Sequence, residues 1–497
     1  MPSPACFYLR HIPSQWGYGD RMIGLSARKL LDAYDSKETK VTYQTVNPYT
    51  NELIKTYPDA TDEDLEDALA TGHALYKHWR KEDGASERAG QLRRVADIFR
   101  QEKDALAANL TKDMGKLITE ARAEVELCAN IAQYFANKAE DLLKPTPLDN
   151  PAGKAYYVKQ ATGVLVMVEP WNFPYYQIMR VFAPNFILGN PMILKHASNV
   201  PASAIAFEDA VLRAGAPEGS LTNLFINYDQ VDKAIADKRV AGVALTGSER
   251  GGASVAKSAG MHLKKSSMEL GGNDAFIILD DADWNLLRKV APGARLMNAG
   301  QVCCASKRFI VMADKYDDFV SMMVESFSKL VMGDPSNPDT TMAPMCTTHA
   351  RDGLQKQLNQ AIAAGAKVAY GNKPVDSPGA FLMPTILTDI TKDNPAYDQE
   401  MFGPVATIYK VNSEDEAIEL ANDSSYGLGG TVFSQDIEHA DELARRIETG
   451  MTFINGGWVT MPELPFGGIK NSGYGRELYG LGFDTFANEH LIFDHDH

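Results

Sequence analysis

From Gly163 onward the chain repeats one alternation: a short apolar run, then a longer stretch with helical spacing. The runs read GVLVMVEP, PMILKHAS, LTNLFI, VAGVALTGS and AFIILDDAD. They are apolar on both faces, as strands of a parallel sheet covered on both sides must be. Between them lie helical stretches over Pro174 to Leu188, Ala202 to Ala214 and Gln230 to Asp237. Parallel neighbours need a crossover connection, usually a helix, so the alternation predicts an α/β fold. A second series runs from about Leu270 to Lys470, with RFIVM, ATIYKV and GTVFS as strands. Its helices fall over Arg351 to Ala364, Glu414 to Asn422 and Ile437 to Glu448.

Ahead of this alternation, VTYQTVNPYTNELIKTYP reads as a hairpin around Asn-Pro-Tyr-Thr-Asn turn chemistry. Thr61 then opens a helix with Asp62, Glu63 and Asp64 in its first turn, where anions suit the helix dipole. Two long helices are expected over Ser86 to Leu110 and Thr119 to Leu143, and KPTPLDNPAG breaks the pattern. FANEHLIFDHDH at the other end reads as an alternating edge strand. Residues 1–40 hold no apolar stretch of the secretory kind and form an extension of unassigned role. No apolar run reaches the roughly 18 residues of a membrane helix. A formal charge of −16 disfavours nucleic acid and anionic membrane as partners. Five scattered cysteines, an odd number, are not a disulfide framework; a reducing, cytoplasmic compartment is expected. The histidines show no metal-ligand spacing.

Four stretches carry chemistry. NAGQVCCASKR sets Cys303 and Cys304 among small residues that let a ligand approach; the plain alternative is a buried small apolar side chain. In MELGGND, Glu269 has apolar neighbours, which raise a carboxyl pKa and suit a general base; the alternative is an exposed strand-end Glu with turn glycines. In VEPWNFP, Asn172 stands at a strand-to-helix junction, where its amide donates to an oxyanion or only caps a helix. In ALTGSERGG, a strand, Gly-Ser and a helix start are a way to hold a pyrophosphate, although no GxGxxG is present.

These pieces occur in one order with further motifs: Pro170-Trp171-Asn172-Phe173-Pro174, Thr246-Gly247-Ser248, Glu269-Leu270-Gly271-Gly272, Gly300-Gln301-Val302-Cys303, Glu400-Met401-Phe402-Gly403-Pro404 and Pro465-Phe466-Gly467-Gly468-Ile469-Lys470. Together they resemble the aldehyde dehydrogenase superfamily over roughly Val41 to the end of the chain. The resemblance implies a Rossmann-type cofactor domain (41–142 and 162–270), an α/β catalytic domain (271–470) and a small β oligomerisation arm (143–161 and 485–497). It also implies a homodimer or homotetramer. It assigns Cys303 as nucleophile, Glu269 as the base that activates water, and Asn172 with the Cys303 N–H as oxyanion hole. Cofactor contacts are implied for Trp171, Lys195, Ser198, Thr246, Gly247, Ser248, Leu270, Glu400 and Phe402, and no metal is needed.

NAD-preferring relatives often carry Glu where Ser198 stands. Ser198 spares a 2′-phosphate that repulsion and Lys195 supplies charge, so NADP is the expected cofactor, with NAD possible. On a helix starting at Pro174, Tyr176 and Arg180 share a face. Arg180 lies six residues past the proline, as in succinate-semialdehyde dehydrogenases, where it grips the distal carboxylate; an ion pair is the alternative. Thr460 and Trp458 fall where that subfamily has a hydroxyl and a pocket wall. The expected activity is oxidation of succinate semialdehyde to succinate. A broader range of short or aromatic aldehydes is the alternative within enzymes, and a non-catalytic structural relative is the alternative outside them. Cys304 is expected to pack behind the nucleophile, the other reading being a redox partner of Cys303.

Overall fold

The computed structural model describes residues 43–81 and 84–495; the extension over 1–40 lies outside them. The hairpin forms from Tyr43–Val46 and Leu53–Tyr57, paired antiparallel. Thr61 caps the helix Asp62–Trp79 through a full capping box with Asp64. The helix expected over Ser86 to Leu110 is two, Ala85–Gln101 and Lys103–Met114, broken at Glu102. No Gly or Pro marks that break. It turns the second helix so that both bury apolar faces in the cluster shared with Ile118–Leu143. The helix expected to reach Glu448 ends at Ala444, and Ile447 matches the helical period yet is buried from the turns that follow.

Two parallel sheets organise the chain. The first has the order Gly473–Tyr474, Lys265–Glu269, Val240–Thr246, Val164–Glu169, Met192–His196, Leu221–Asn223. All its neighbours are parallel except the first pair. The chain starts at the central strand Val164–Glu169, runs out to one side, and returns to the other at Val240–Thr246. The order therefore reverses between these two strands, and a ligand crevice opens beyond the carboxyl ends of strands at such a switch. Lys265–Glu269 shows no apolar run (KSSME), and sequence reading offers only its end, with Glu269 as a strand-end residue.

The second sheet has seven strands in the order Lys367–Tyr370, Thr385–Thr388, Val405–Val411, Ser306–Met312, Asp274–Ile278, Gly429–Phe433, Met451–Ile454. The AFIILDDAD run belongs here, as a central strand, rather than to the first series. Only Leu270, Gly271, Gly272 and Asn273 separate the last residue of Lys265–Glu269 from the first of Asp274–Ile278. The carboxyl edge of one sheet thus faces the amino edge of the other. A third sheet joins Thr146–Leu148, Gly153–Gln160 and the terminal strand Asn488–His495, which lies at its edge. No described helix is long and apolar enough to cross a membrane.

The segment before that terminal strand is docked on the first sheet. Phe486 O accepts from Thr162 Oγ1 at 3.1 Å, and Ala487 O from Lys265 Nζ at 2.7 Å. A Cβ on Gly242 would stand 2.8 Å from the Phe486 ring. Gly242→Val is expected to cost about 1–3 kcal/mol by overpacking, read as a lower thermal midpoint; an unchanged midpoint contradicts this docking.

Candidate active site

The strand Val164–Glu169 ends at the switch point and passes through Pro170-Trp171-Asn172-Phe173 into the helix Pro174–Leu188. Pro174 suits the first helical turn, but Phe173 offers no side-chain cap. Glu124 of the helix Ile118–Leu143 supplies one, its Oε1 accepting from the backbone N–H of Tyr175 (2.9 Å) and Tyr176 (3.1 Å). Asn172 is buried, and its Nδ2 donates to Gln301 O at 3.1 Å, joining the junction to the cysteine loop.

That loop is held against its own preference. Asn298 and Ala299 take left-handed φ of 54° and 53°, unusual without glycine. Gln301 fastens it: its Nε2 donates to Asn298 O at 3.0 Å and its Oε1 accepts from Cys346 N at 2.9 Å. Cys303 is half-buried, while Cys304 is buried in the main hydrophobic cluster, and both are free thiols. Lys307, which sequence reasoning passed over, donates to the carbonyls of Val302 (3.0 Å), Cys303 (2.5 Å) and Ala305 (3.3 Å) and pairs with Glu400 at 3.1 Å. The neighbouring Cys304 thiol holds the Cys303 thiol below its ordinary value, aided by the Lys307 and Arg180 cations and opposed by burial. Burial pushes the Cys304 thiol the other way. The pair is thus a reactive thiol beside an inert one.

Glu269 ends its strand, as one reading of the sequence had it, but is only 2% exposed. Neither carboxylate oxygen has a hydrogen-bond partner among the described residues. Burial, then the Glu477 carboxylate, push its pKa well above the carboxylate range. Glu169, equally buried, is raised by the same causes. Among these carboxyls lies Arg180, fully buried, ion-paired to Glu477 and donating from Nη2 to Thr246 Oγ1 at 3.1 Å. Its guanidinium lies over the rings of Phe466 (4.4 Å) and Tyr176 (4.9 Å). From Nη1 it reaches the Tyr176 hydroxyl at 3.4 Å, and that hydroxyl lies 2.6 Å from Thr460 Oγ1. Trp458 packs edge-on against Phe173. Arg180, Tyr176 and Thr460 are therefore one chain of contacts. Glu477 and Glu169 carried no motif that sequence reading could use. Arg295, on the helix before the cysteine loop, spends its guanidinium on the carbonyls of Val405, Met401, Gly300 and Gly403.

The remaining candidates line the crevice. Ser248 caps the helix Glu249–Met261, accepting from Gly251 N, so free N–H groups of the first turn face the switch point. Gly247 N donates to Glu269 O at 2.9 Å, and Leu270 N to Ser472 O at 3.0 Å. Lys195 is mostly buried, its Nζ donating to His196 O at 3.0 Å. Burial lowers its pKa to about 8. Ser198, partly exposed, lies just past the end of the same strand. Trp171 meets Phe402 edge to face at 5.7 Å, and Glu400 accepts from Gly272 N at 3.1 Å. A Cβ on Gly271 would stand 2.6 Å from Glu400. A helix N-terminus, a cation with no carboxylate at Ser198, and aromatic walls fit a phosphate-bearing dinucleotide.

A model of the aldehyde dehydrogenase family matches residues 34–492. The succinate-semialdehyde dehydrogenase [NADP(+)] of Deinococcus radiodurans is 45% identical over 450 residues, 90% of this chain and 94% of that one. That of Mycobacterium avium is 44% identical over 452 residues, covering 90% and 96%. Among solved structures, succinic semialdehyde dehydrogenase from Streptococcus pyogenes in complex with NADP+ is 60% identical with a TM-score of 0.91, covering 91% of this chain and 100% of that one.

The junction makes one test direct. A Cβ on Gly272 would stand 2.5 Å from Cys303 O. Gly272→Ala is expected to shift Cys303 and lower kcat by about 10- to 100-fold in a folded protein; an unchanged kcat contradicts the close approach.

Proposed function

The chain belongs to the aldehyde dehydrogenase family, and on that premise we propose that it oxidises succinate semialdehyde to succinate with reduction of NADP. The observation that carries this reading is a half-buried thiol, Cys303, in a loop that Asn172 ties to the strand-to-helix junction through Gln301, near enough to the buried Glu269 carboxyl for the two to interact electrostatically. The Cys303 thiolate adds to the aldehyde carbon. The alkoxide that forms accepts hydrogen bonds from Asn172 Nδ2 and the Cys303 N–H. Bound NADP supplies the hydride acceptor that converts the thiohemiacetal to a thioester. Glu269 then takes a proton from water, whose oxygen adds to the thioester carbonyl. Collapse releases succinate and returns the Cys303 thiolate.

The distal carboxylate of the substrate accepts from the Tyr176 and Thr460 hydroxyls, with the Arg180 charge directly behind Tyr176 and Trp458 as a wall. A second reading, a broader range of aldehydes, is favoured by one observation: Arg180 already holds a carboxylate partner, Glu477. Initial rates separate the two. Arg180→Met and Tyr176→Phe are expected to raise KM for succinate semialdehyde at least about tenfold, the worth of one lost charged hydrogen bond, and to leave KM for butanal nearly unchanged. Equal shifts for both aldehydes favour the broader reading.

NADP would be held in the crevice between the cofactor unit (41–142 and 162–270) and the catalytic unit (271–470). Thr246, Gly247 and Ser248 would hold its phosphates, Lys195 and Ser198 its 2′-phosphate and Glu400 its nicotinamide ribose, with Trp171, Leu270 and Phe402 as walls. Lys195 with a pKa of about 8 carries its charge below that pH and loses it above. KM for NADP is therefore expected to be flat below pH 7 and to rise above pH 8, while KM for NAD stays flat. Lys195→Met should give a high KM for NADP with no inflection. An inflection that persists in Lys195→Met refutes the assignment.

The three-stranded sheet of the arm (143–161 and 485–497) exposes Leu148 and Leu491 and leaves Asn488–His495 as an open edge. This fits pairing with a second copy in a homodimer or homotetramer. The reduced thiol that the chemistry requires fits the cytoplasm.

A further inference from the structure

Three side chains from one short segment converge on the active site from outside it. Lys116 lies two residues before the helix Ile118–Leu143, and Glu120 and Glu124 lie one turn apart on that helix. Lys116 and Glu124 form an ion pair with both side chains 1% exposed. Each then acts on the Trp171–Tyr176 junction. Lys116 Nζ donates to Asn172 O at 2.9 Å and lies 3.7 Å above the Phe173 ring centroid. Glu124 binds the amides of Tyr175 and Tyr176. Glu120 accepts from Asn298 N at 3.0 and 3.2 Å, the residue whose left-handed backbone starts the cysteine loop. Asn298 returns to the same point, its Nδ2 donating to Asn172 O at 2.8 Å. The Asn172 carbonyl and the backbone after it are thereby held, while its side-chain amide reaches the cysteine loop at Gln301 O.

A buried ion pair is weak evidence for stability, because well-packed apolar residues of similar volume often serve as well. Here the pair does what apolar residues cannot: it presents a cation to the Asn172 carbonyl and an acceptor to two helix amides. We infer that Lys116, Glu120 and Glu124 are positioning residues for the oxyanion site, a brace that sets where Asn172 Nδ2 points relative to Cys303. The inference rests on the reading of Asn172 as oxyanion donor given above.

The brace touches neither the cofactor crevice residues nor Cys303, so its signature is a loss of kcat that passes through Asn172. Removing one member alone strands a buried charge. The test variant is therefore Lys116→Met with Glu124→Gln, in which both charges go and the glutamine carbonyl still accepts from Tyr175 and Tyr176. In the full-length enzyme this double variant is expected to lower kcat by about 10- to 100-fold, with KM for NADP and the thermal midpoint close to wild type. Asn172→Ala is expected to lower kcat by about 100-fold or more. Combined with Asn172→Ala, the double variant should cost no more than roughly twofold further. If it costs the same factor in both backgrounds, it acts through general packing and the brace is overturned. If Asn172→Ala leaves kcat unchanged, the oxyanion reading fails first and the brace with it. A kcat of the double variant equal to wild type also overturns the brace.

Discussion

Everything at the centre of this molecule depends on how closely the two parallel sheets are allowed to meet. Four residues connect them, and two are glycines whose missing side chains are filled by the site itself. Where a Cβ of Gly271 would lie stands the Glu400 carboxylate, and where that of Gly272 would lie stands the Cys303 carbonyl. Glycine gives this close approach at the expense of backbone freedom. Because strand Lys265–Glu269 is parallel to its sheet, Glu269 sits at its carboxyl end; because Ser306–Met312 is parallel to the other, the Cys303 loop sits at its amino end. Glu269 and Cys303, the proposed base and nucleophile, are brought together from different sheets by topology, with no long loop carrying either.

The second constraint is charge out of water. Arg180, Glu169, Glu269 and Glu477 share one buried region, and Lys307 with Glu400 and Lys116 with Glu124 lie in others. In such surroundings an unpaired charge is costly, so each cation takes a definite partner and each excess carboxyl is driven toward its neutral form. Burial, then the nearby Glu477 carboxylate, moves Glu169 and Glu269 up together. Burial that costs stability therefore shifts the acid–base balance of the groups on which the proposed thiol addition and water activation depend.

How far the chain could be read from its letters follows from the range of the signals. Apolar runs and caps are local, so Val164–Glu169, Pro174–Leu188 and Glu414–Asn422 were legible almost to the residue, as was the strand character of the terminal segment. Lys265–Glu269 was not legible as an element, because KSSME shows no continuous apolar run although its last three residues are buried. The break at Glu102 was invisible because tertiary packing, not a breaker residue, makes it. Cys303, Glu269 and Asn172 stand in ordered motifs and were singled out. Glu477 and Lys116 were missed because their partners lie far along the chain: Glu477 meets Arg180, and Lys116 meets Asn172, 56 residues on.

The fully buried helix Pro174–Leu188 ties these constraints to selectivity. All of its residues are buried, and Arg180 is its one charge. Such a helix tolerates a guanidinium only where a carboxylate, ring faces and a hydroxyl receive it, and Glu477, Phe466, Tyr176 and Thr246 do so. In the reading proposed above, an anionic aldehyde therefore meets the cation through the Tyr176 hydroxyl rather than by displacing Glu477. It adds a negative charge to a region rich in carboxyls, where burial, then Glu477, raises the Glu269 pKa and a carboxyl that ionises less repels it less. A carboxyl of raised pKa is also the stronger base once it has ionised, so burial trades the share of Glu269 that is charged against the proton affinity of that share.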